Sequence, residues 1–158
     1  RWNTLWNRRP WRKAVMSKAL NIFLVSAADN LDTLSSVQAE LAAHGHHVRG
    51  RALHARTMQE RRPFGGMLLG EEDQLFSELA LQIGMADLFV LVPPDDHDVA
   101  CLVGMAHVSG VPVAVISVDP RCCFMVKGCV SFWLETVDGL LEMLAQWSDQ
   151  GVIPEEDA

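Results

Sequence analysis

The sequence has no apolar run approaching the roughly 18 residues that a bilayer-spanning helix requires, so no transmembrane helix is expected anywhere in its 158 residues. It has four cysteines, Cys101, Cys122, Cys123 and Cys129, and no CxxC pair. So few thiols exclude a disulfide scaffold and their spacing disfavours a structural zinc site; they read as reduced thiols in a reducing compartment. Neither Gly-x-Gly-x-x-Gly nor Gly-Lys-Ser/Thr follows a strand pattern, which disfavours a nucleotide-cofactor dehydrogenase or a kinase. No internal repeat occurs, and residues 1–18 contain no acid at all.

That last absence divides the chain in two. Six of the thirteen Lys and Arg residues (Arg1, Arg8, Arg9, Arg12, Lys13, Lys18) fall in residues 1–18, interleaved with Trp2, Trp6 and Trp11. The other seven stand against all twenty Asp and Glu residues, so the arm carries +6 and the remainder −13. A body of that sign repels nucleic acid, and any polyanion should meet the arm. Within the arm, Trp2, Trp6, Arg8, Arg9, Trp11, Arg12 and Lys13 combine charge for phosphates with flat faces for stacking on bases or lying in a partner's apolar groove. Asn7 and Pro10 interrupt any longer amphipathic helix, so an extended arm that orders on a partner is expected in place of a membrane-surface helix. A start at Arg1, basic and free of acid, is what an organellar import signal leaves or resembles; the expected location is the mitochondrial matrix, otherwise the cytoplasm.

What is present after the arm is one domain's worth of alternating strand and helix signals. Leu20-Asn21-Ile22-Phe23-Leu24-Val25 reads as a strand ending in the turn-prone Ser26-Ala27-Ala28-Asp29-Asn30. Leu31, Leu34, Val37 and Leu41 recur at helical spacing, with Asp29 or Asp32 as a cap and Gly45 past the end. His46 to Leu53 alternates loosely as a second strand, and residues 55–70 have no period and read as a long loop. Glu71, Glu72 and Asp73 suit the start of a helix running to about Met85, followed by the continuous apolar strand Leu88 to Val92. A third helix is expected from Val99 to Ser109, a fourth strand from Val111 to Val118 after Gly110, a fifth from Val130 to Trp133, and a last helix, capped by Thr136, through Trp147. The fold class is therefore α/β, a doubly wound, flavodoxin-like parallel sheet of about five strands. The domains are the arm at 1–18, the α/β body at 19–150 and an acidic tail at 151–158.

In such a sheet ligands bind at the carboxyl ends of the strands, near the switch in strand order. Here that places Ser26, Ala27 and Asp29 beside Asp96 and Asp98 as the candidate pocket.

The order of elements, and above all Met85-Ala86-Asp87-Leu88-Phe89-Val90-Leu91-Val92, then Ala100-Cys101-Leu102-Val103-Gly104-Met105-Ala106-His107, then Gly110-Val111-Pro112-Val113, resembles the nucleoside 2-deoxyribosyltransferases and the related deoxynucleoside 5′-monophosphate N-glycosidases. The resemblance runs from about Asn21 to Trp147 and implies a carboxylate nucleophile on the third helix, which attacks the anomeric carbon and splits one substitution into two easier ones. The matching position holds Leu102. It also implies an acid two turns before the Ala-Asp strand opening, and that position holds Leu79. Glu78 lies beside it, turned by about 100° around the helix. Phosphate-binding members carry small residues where this chain has Ser26-Ala27 and Asp95-Asp96-His97-Asp98, and three carboxylates repel a phosphate. Loss of the family's chemistry is therefore expected, with Glu78 and Asp98 as the carboxylates that a surviving enzyme would have to use.

Other clusters have plainer readings. His44, His46, His47 and His54 suggest a metal site, but a helix-to-strand turn is where solvated polar residues belong; Asp95 to Asp98 could hold a hard cation and reads instead as an acidic loop. No metal and no cofactor are expected. His107 is placed toward the sheet and Cys122-Cys123 as an oxidisable pair, both better read as packing. The expected role is a non-catalytic docking subunit of a larger assembly, contacting other proteins and RNA through residues 1–18. The rivals are an active transferase or glycosidase, and a nucleotide-binding module without chemistry. A homodimer is not favoured, because an idle pocket no longer needs a second subunit to complete it.

Overall fold

A computed structural model describes residues 19–26, 31–52, 71–93, 97–118 and 124–150. Along the chain run β1 (Asn21–Ser26), α1 (Leu31–Ala43), β2 (His47–Ala52), α2 (Glu71–Gly84), β3 (Leu88–Leu91), α3 (His97–Val108), β4 (Val113–Ile116), α4 (Phe124–Cys129), β5 (Phe132–Leu134) and α5 (Val137–Gln150). The strands form one parallel sheet in the order β2-β1-β3-β4-β5. The expected fold class holds.

Because successive strand residues point to opposite faces, the continuous apolar runs of β1, β3 and β4 feed two cores at once. Ile22, Leu24, Leu88, Val90, Ala114 and Ile116 meet Leu34, Val37 and Leu41 of α1 and Leu140, Leu144 and Trp147 of α5. Phe23, Val25, Phe89, Leu91, Val113 and Val115 meet Leu79 and Ile83 of α2, Val99, Leu102, Val103 and Ala106 of α3, and Val126 of α4. Phe23 stacks on Phe89 across the β1–β3 pair with ring centroids 5.5 Å apart. Each such side chain contributes roughly 1.5–3 kcal/mol by leaving water, which is why the buried stretch of β1 holds no polar residue before Ser26.

The helix ends obey the expected chemistry. Gly45 and Gly110 adopt φ of 88° and 73°, which costs glycine nothing. Each closes a paired turn: the amides of Gly45 and His46 donate to Ala42 and Leu41, and those of Gly110 and Val111 to His107 and Ala106. The amide of Gly139 donates to Thr136 Oγ1 at 3.1 Å, the expected cap of α5. Strand ends differ by a residue or two from expectation, and α4 is an addition: six residues with Gly128 inside them carry no period to read. His107 departs from expectation. It is exposed on the outer side of α3, because Ala106 and Val103 take the sheet-facing positions. The residues 55–70, Asp29, and the Cys122-Cys123 pair lie outside the described residues.

One turn titrates. Where α1 meets β2, the His46 Nδ1 accepts the Leu20 amide at 3.3 Å, and burial, helped by the neighbouring His44 and His47, holds its pKa below 6.5. The unfolded chain therefore binds the extra proton first. Stability is full above the unfolded value near 6.5 and falls as the pH drops toward the folded value. Urea midpoints measured between about pH 7 and 5.5 should decline, and His46→Gln, which keeps an acceptor but no titration, should flatten that decline; an unchanged slope in the variant would assign it elsewhere.

Candidate functional site

Of the expected pocket, the described residues include Ser26 and Asp98. Ser26 ends β1 and is fully buried, and its Oγ has no hydrogen-bond partner among the described residues. Asp98 stands exposed in the first turn of α3, where a helix N-terminus favours an acid. Ala27, Asp29 and Asp96 lie outside the described residues, as do all seven arm residues named above.

Ser26 bears directly on what the pocket keeps. A buried hydroxyl without a partner costs about 1–3 kcal/mol, and Ser26 shares its sheet face with the apolar Ile22 and Leu24 and its register with Ala52. Ser26→Ala is expected to raise stability by about 1 kcal/mol in urea unfolding. Destabilisation instead would mean that the hydroxyl is satisfied in solution.

The two positions where the resemblance implies a carboxylate are both buried and both apolar. Leu79 on α2 is 6% exposed and Leu102 on α3 is 5% exposed. They belong to one buried cluster with Val25, Phe89 and Leu91. Glu78, the neighbour of Leu79, points to solvent, and its Oε1 accepts Gln82 Nε2 at 2.8 Å one turn along the same helix. It is on the wrong side of α2 to reach the cluster. Asp98 is four residues before Leu102 and shares its helix face, so of the two displaced carboxylates only Asp98 stands at the ligand-binding end.

The histidines do not converge. His44 Nδ1 lies 2.9 Å from the Glu40 carbonyl oxygen, bonding back onto its own helix, while His46 faces Leu20 and His47 is exposed on β2. Among the described residues no group of three His, Cys, Asp or Glu side chains is placed to hold a metal ion. His54 is outside them. Cys101 is an exposed thiol and Cys129 is half-buried. No helix among the described residues is long and apolar enough to cross a membrane.

A concavity that sequence reasoning missed lies at the other end of the sheet. It is bounded by Asn21 and Phe23 of β1, His47 and Arg49 of β2, and Gln82 and Met85 at the end of α2. The signal available was the alternation His47-x-Arg49, which puts two basic-type residues on one face of a strand.

No model of a known protein family matches the chain, and no curated protein matches it. Solved structures do. A protein of unknown function from Vibrio parahaemolyticus aligns with a TM-score of 0.44 and 13% identity, over 77% of this chain and 95% of its own. A 2-deoxyribosyltransferase from the psychrotolerant bacterium Bacillus psychrosaccharolyticus aligns with a TM-score of 0.58 and 21% identity, over 76% of this chain and 89% of its own. With a five-stranded parallel sheet flanked by helices on both faces, the chain has the fold of that 2-deoxyribosyltransferase.

Proposed function

We propose that this chain is a non-catalytic protein on the deoxyribosyltransferase fold, a docking subunit of a larger, RNA-containing assembly that it joins through residues 1–18. The observation that carries the loss of chemistry is the pair Leu79 and Leu102, buried in one apolar cluster where the resemblance calls for two carboxylates. Glycosidic substitution through a covalent intermediate needs a nucleophile at the anomeric carbon and a group that manages the leaving base. Two leucines supply neither. The charge division supports the second half: a body at −13 approaches a polyanion only by way of its +6 arm.

Incubation of the purified protein with deoxynucleosides and their 5′-monophosphates should release no free base by chromatography. Base release abolished by Asp98→Asn would overturn the proposal, since it would identify a displaced carboxylate doing the work. One observation favours a narrower variant in which the pocket still takes a nucleotide-like ligand: the orphaned Ser26 hydroxyl at the end of β1 is the kind of group that a bound ligand satisfies. A ligand at 100 times its Kd stabilises the folded chain by about 2.7 kcal/mol. A thermal-shift panel of nucleotides reads this directly, and the shift should vanish in Ser26→Ala.

A further inference from the structure

The described body holds three Arg and Lys residues, Arg49, Arg51 and Lys127, and two of these are on β2. β2 is an edge strand. Its partners in register are Asn21 for His47 and Phe23 for Arg49. Phe23 faces the α2–α3 side of the sheet, so His47 and Arg49, spaced two residues apart, line up on that side. The apolar cover given by α2 extends over β1 and β3, and on β2 the basic positions replace core residues.

Between this strand and the end of α2 lies the cleft bounded by Asn21, Phe23, His47, Arg49, Gln82 and Met85, with a cavity volume of about 60 Å³. At about 10–15 Å³ per water it has room for roughly four to six water-sized groups. That is room for one phosphate group. Its polar side chains come from three elements and are donors: the Arg49 guanidinium, the His47 ring, and the Asn21 and Gln82 amides. Asn21 Nδ2 and Gln82 Nε2 each already give one N–H to an acid, Asp87 and Glu78; their second N–H groups, with the Arg49 fork and the His47 ring, leave donors from three elements for an oxyanion. Two acids stand near and are already engaged: Asp87 Oδ2 accepts the Asn21 amide and Nδ2, and Glu78 accepts Gln82. Their charge makes a singly charged phosphodiester a better guest than a doubly charged monoester. The cleft also sits at the root of the arm, for Leu20, whose carbonyl accepts the His47 amide at 2.8 Å, is separated from Lys18 by Ala19 alone.

We infer that the cleft between β2 and α2 seats one backbone phosphate of the RNA strand that the arm engages, making His47 and Arg49 the body's continuation of the arm's basic track. This rests on the RNA reading of the arm. The seat is at the amino ends of the strands, away from Ser26 and Asp98 at their carboxyl ends.

The test uses the full chain and a single-stranded oligoribonucleotide, with binding followed by fluorescence anisotropy across a salt series. Losing one phosphate contact should weaken binding uniformly across sequences and reduce the magnitude of the slope of log K against log salt by about 0.7. Arg49→Gln is expected to weaken binding about tenfold or more, as loss of a charge-assisted hydrogen bond does, and His47→Gln by less. Urea unfolding should be unchanged in both, because the two side chains are exposed. RNA binding that depends on the arm but ignores Arg49→Gln and His47→Gln would overturn the inference and leave the arm's role standing. If the full chain binds no RNA, the arm's role fails, and titration with dimethyl phosphate decides the seat separately. Shifts of the Arg49 and Gln82 amide resonances would then support it, and their absence would overturn it.

Discussion

Replacing Leu102 with glutamate, the residue type that the resemblance calls for, should yield no glycosyl chemistry and should cost roughly 4 kcal/mol of stability, because penalties of about 3–5 kcal/mol are usual for an unpaired buried charge. The side chain is 5% exposed and packed in one cluster with Leu79, Val25, Phe89 and Leu91. An uncompensated carboxylate there has no hydrogen-bond partner to offset its loss of water. Against a total of about 5–15 kcal/mol for a typical domain, that is a large share. Leu102→Ala should cost about 2–5 kcal/mol through its cavity alone, so magnitude does not separate the two. Proton linkage does. Burial raises the folded-state pKa of the introduced carboxyl above the unfolded value of about 4.3, so a Leu102→Glu chain is least penalised in acid and loses stability as the pH rises from the unfolded value toward and through the folded one. Leu102→Ala should show no such added dependence. Urea unfolding at about pH 5 and 8 measures it. A Leu102→Glu chain with parental stability at both pH values and release of free base from deoxynucleosides would mean that the helix face is an open, serviceable pocket.

The leucine pair also shows what the sequence could and could not disclose. The strands β1, β3 and β4 were legible because burial on both faces leaves an uninterrupted apolar run, and α1 and α3 ended where Gly45 and Gly110 allow a positive φ. α4 was not, since six residues around Gly128 make less than two turns, with Val126 their deeply buried contribution to the core. For the site, position followed from the resemblance, while environment did not. That Leu79 and Leu102 share one core cluster, and that Glu78 is turned away to Gln82, depends on how α2 and α3 lie against the sheet. Helical geometry alone did give the roughly 100° between Glu78 and Leu79. The orphaned Ser26 hydroxyl and the β2–α2 cleft carry no sequence signature beyond a serine at a strand end and a two-residue alternation. Each needs a neighbour from another part of the chain, so its meaning is tertiary.

The largest effect on binding should come from the arm, and it is measurable before any partner is known. Deletion of residues 1–18 is expected to abolish association with RNA and with the assembly, while the melting temperature stays almost unchanged, because β1 begins at Asn21 and the core begins at Leu20. Six positive charges releasing about 0.7 counterion each from a single strand give a slope near four, so affinity should fall by about four powers of ten for a tenfold rise in salt. Replacing Trp2, Trp6 and Trp11 with alanine should remove a further 1–3 kcal/mol, by order of magnitude, for each ring that stacks on a base, and about 2 kcal/mol per ring is already some thirtyfold. The two dependences separate the partners. Binding that needs the tryptophans but ignores salt would indicate an apolar protein groove and end the RNA reading. Binding that survives deletion of the arm would move the anchor onto the acidic body, where Arg49 and His47 would then be the first residues to test.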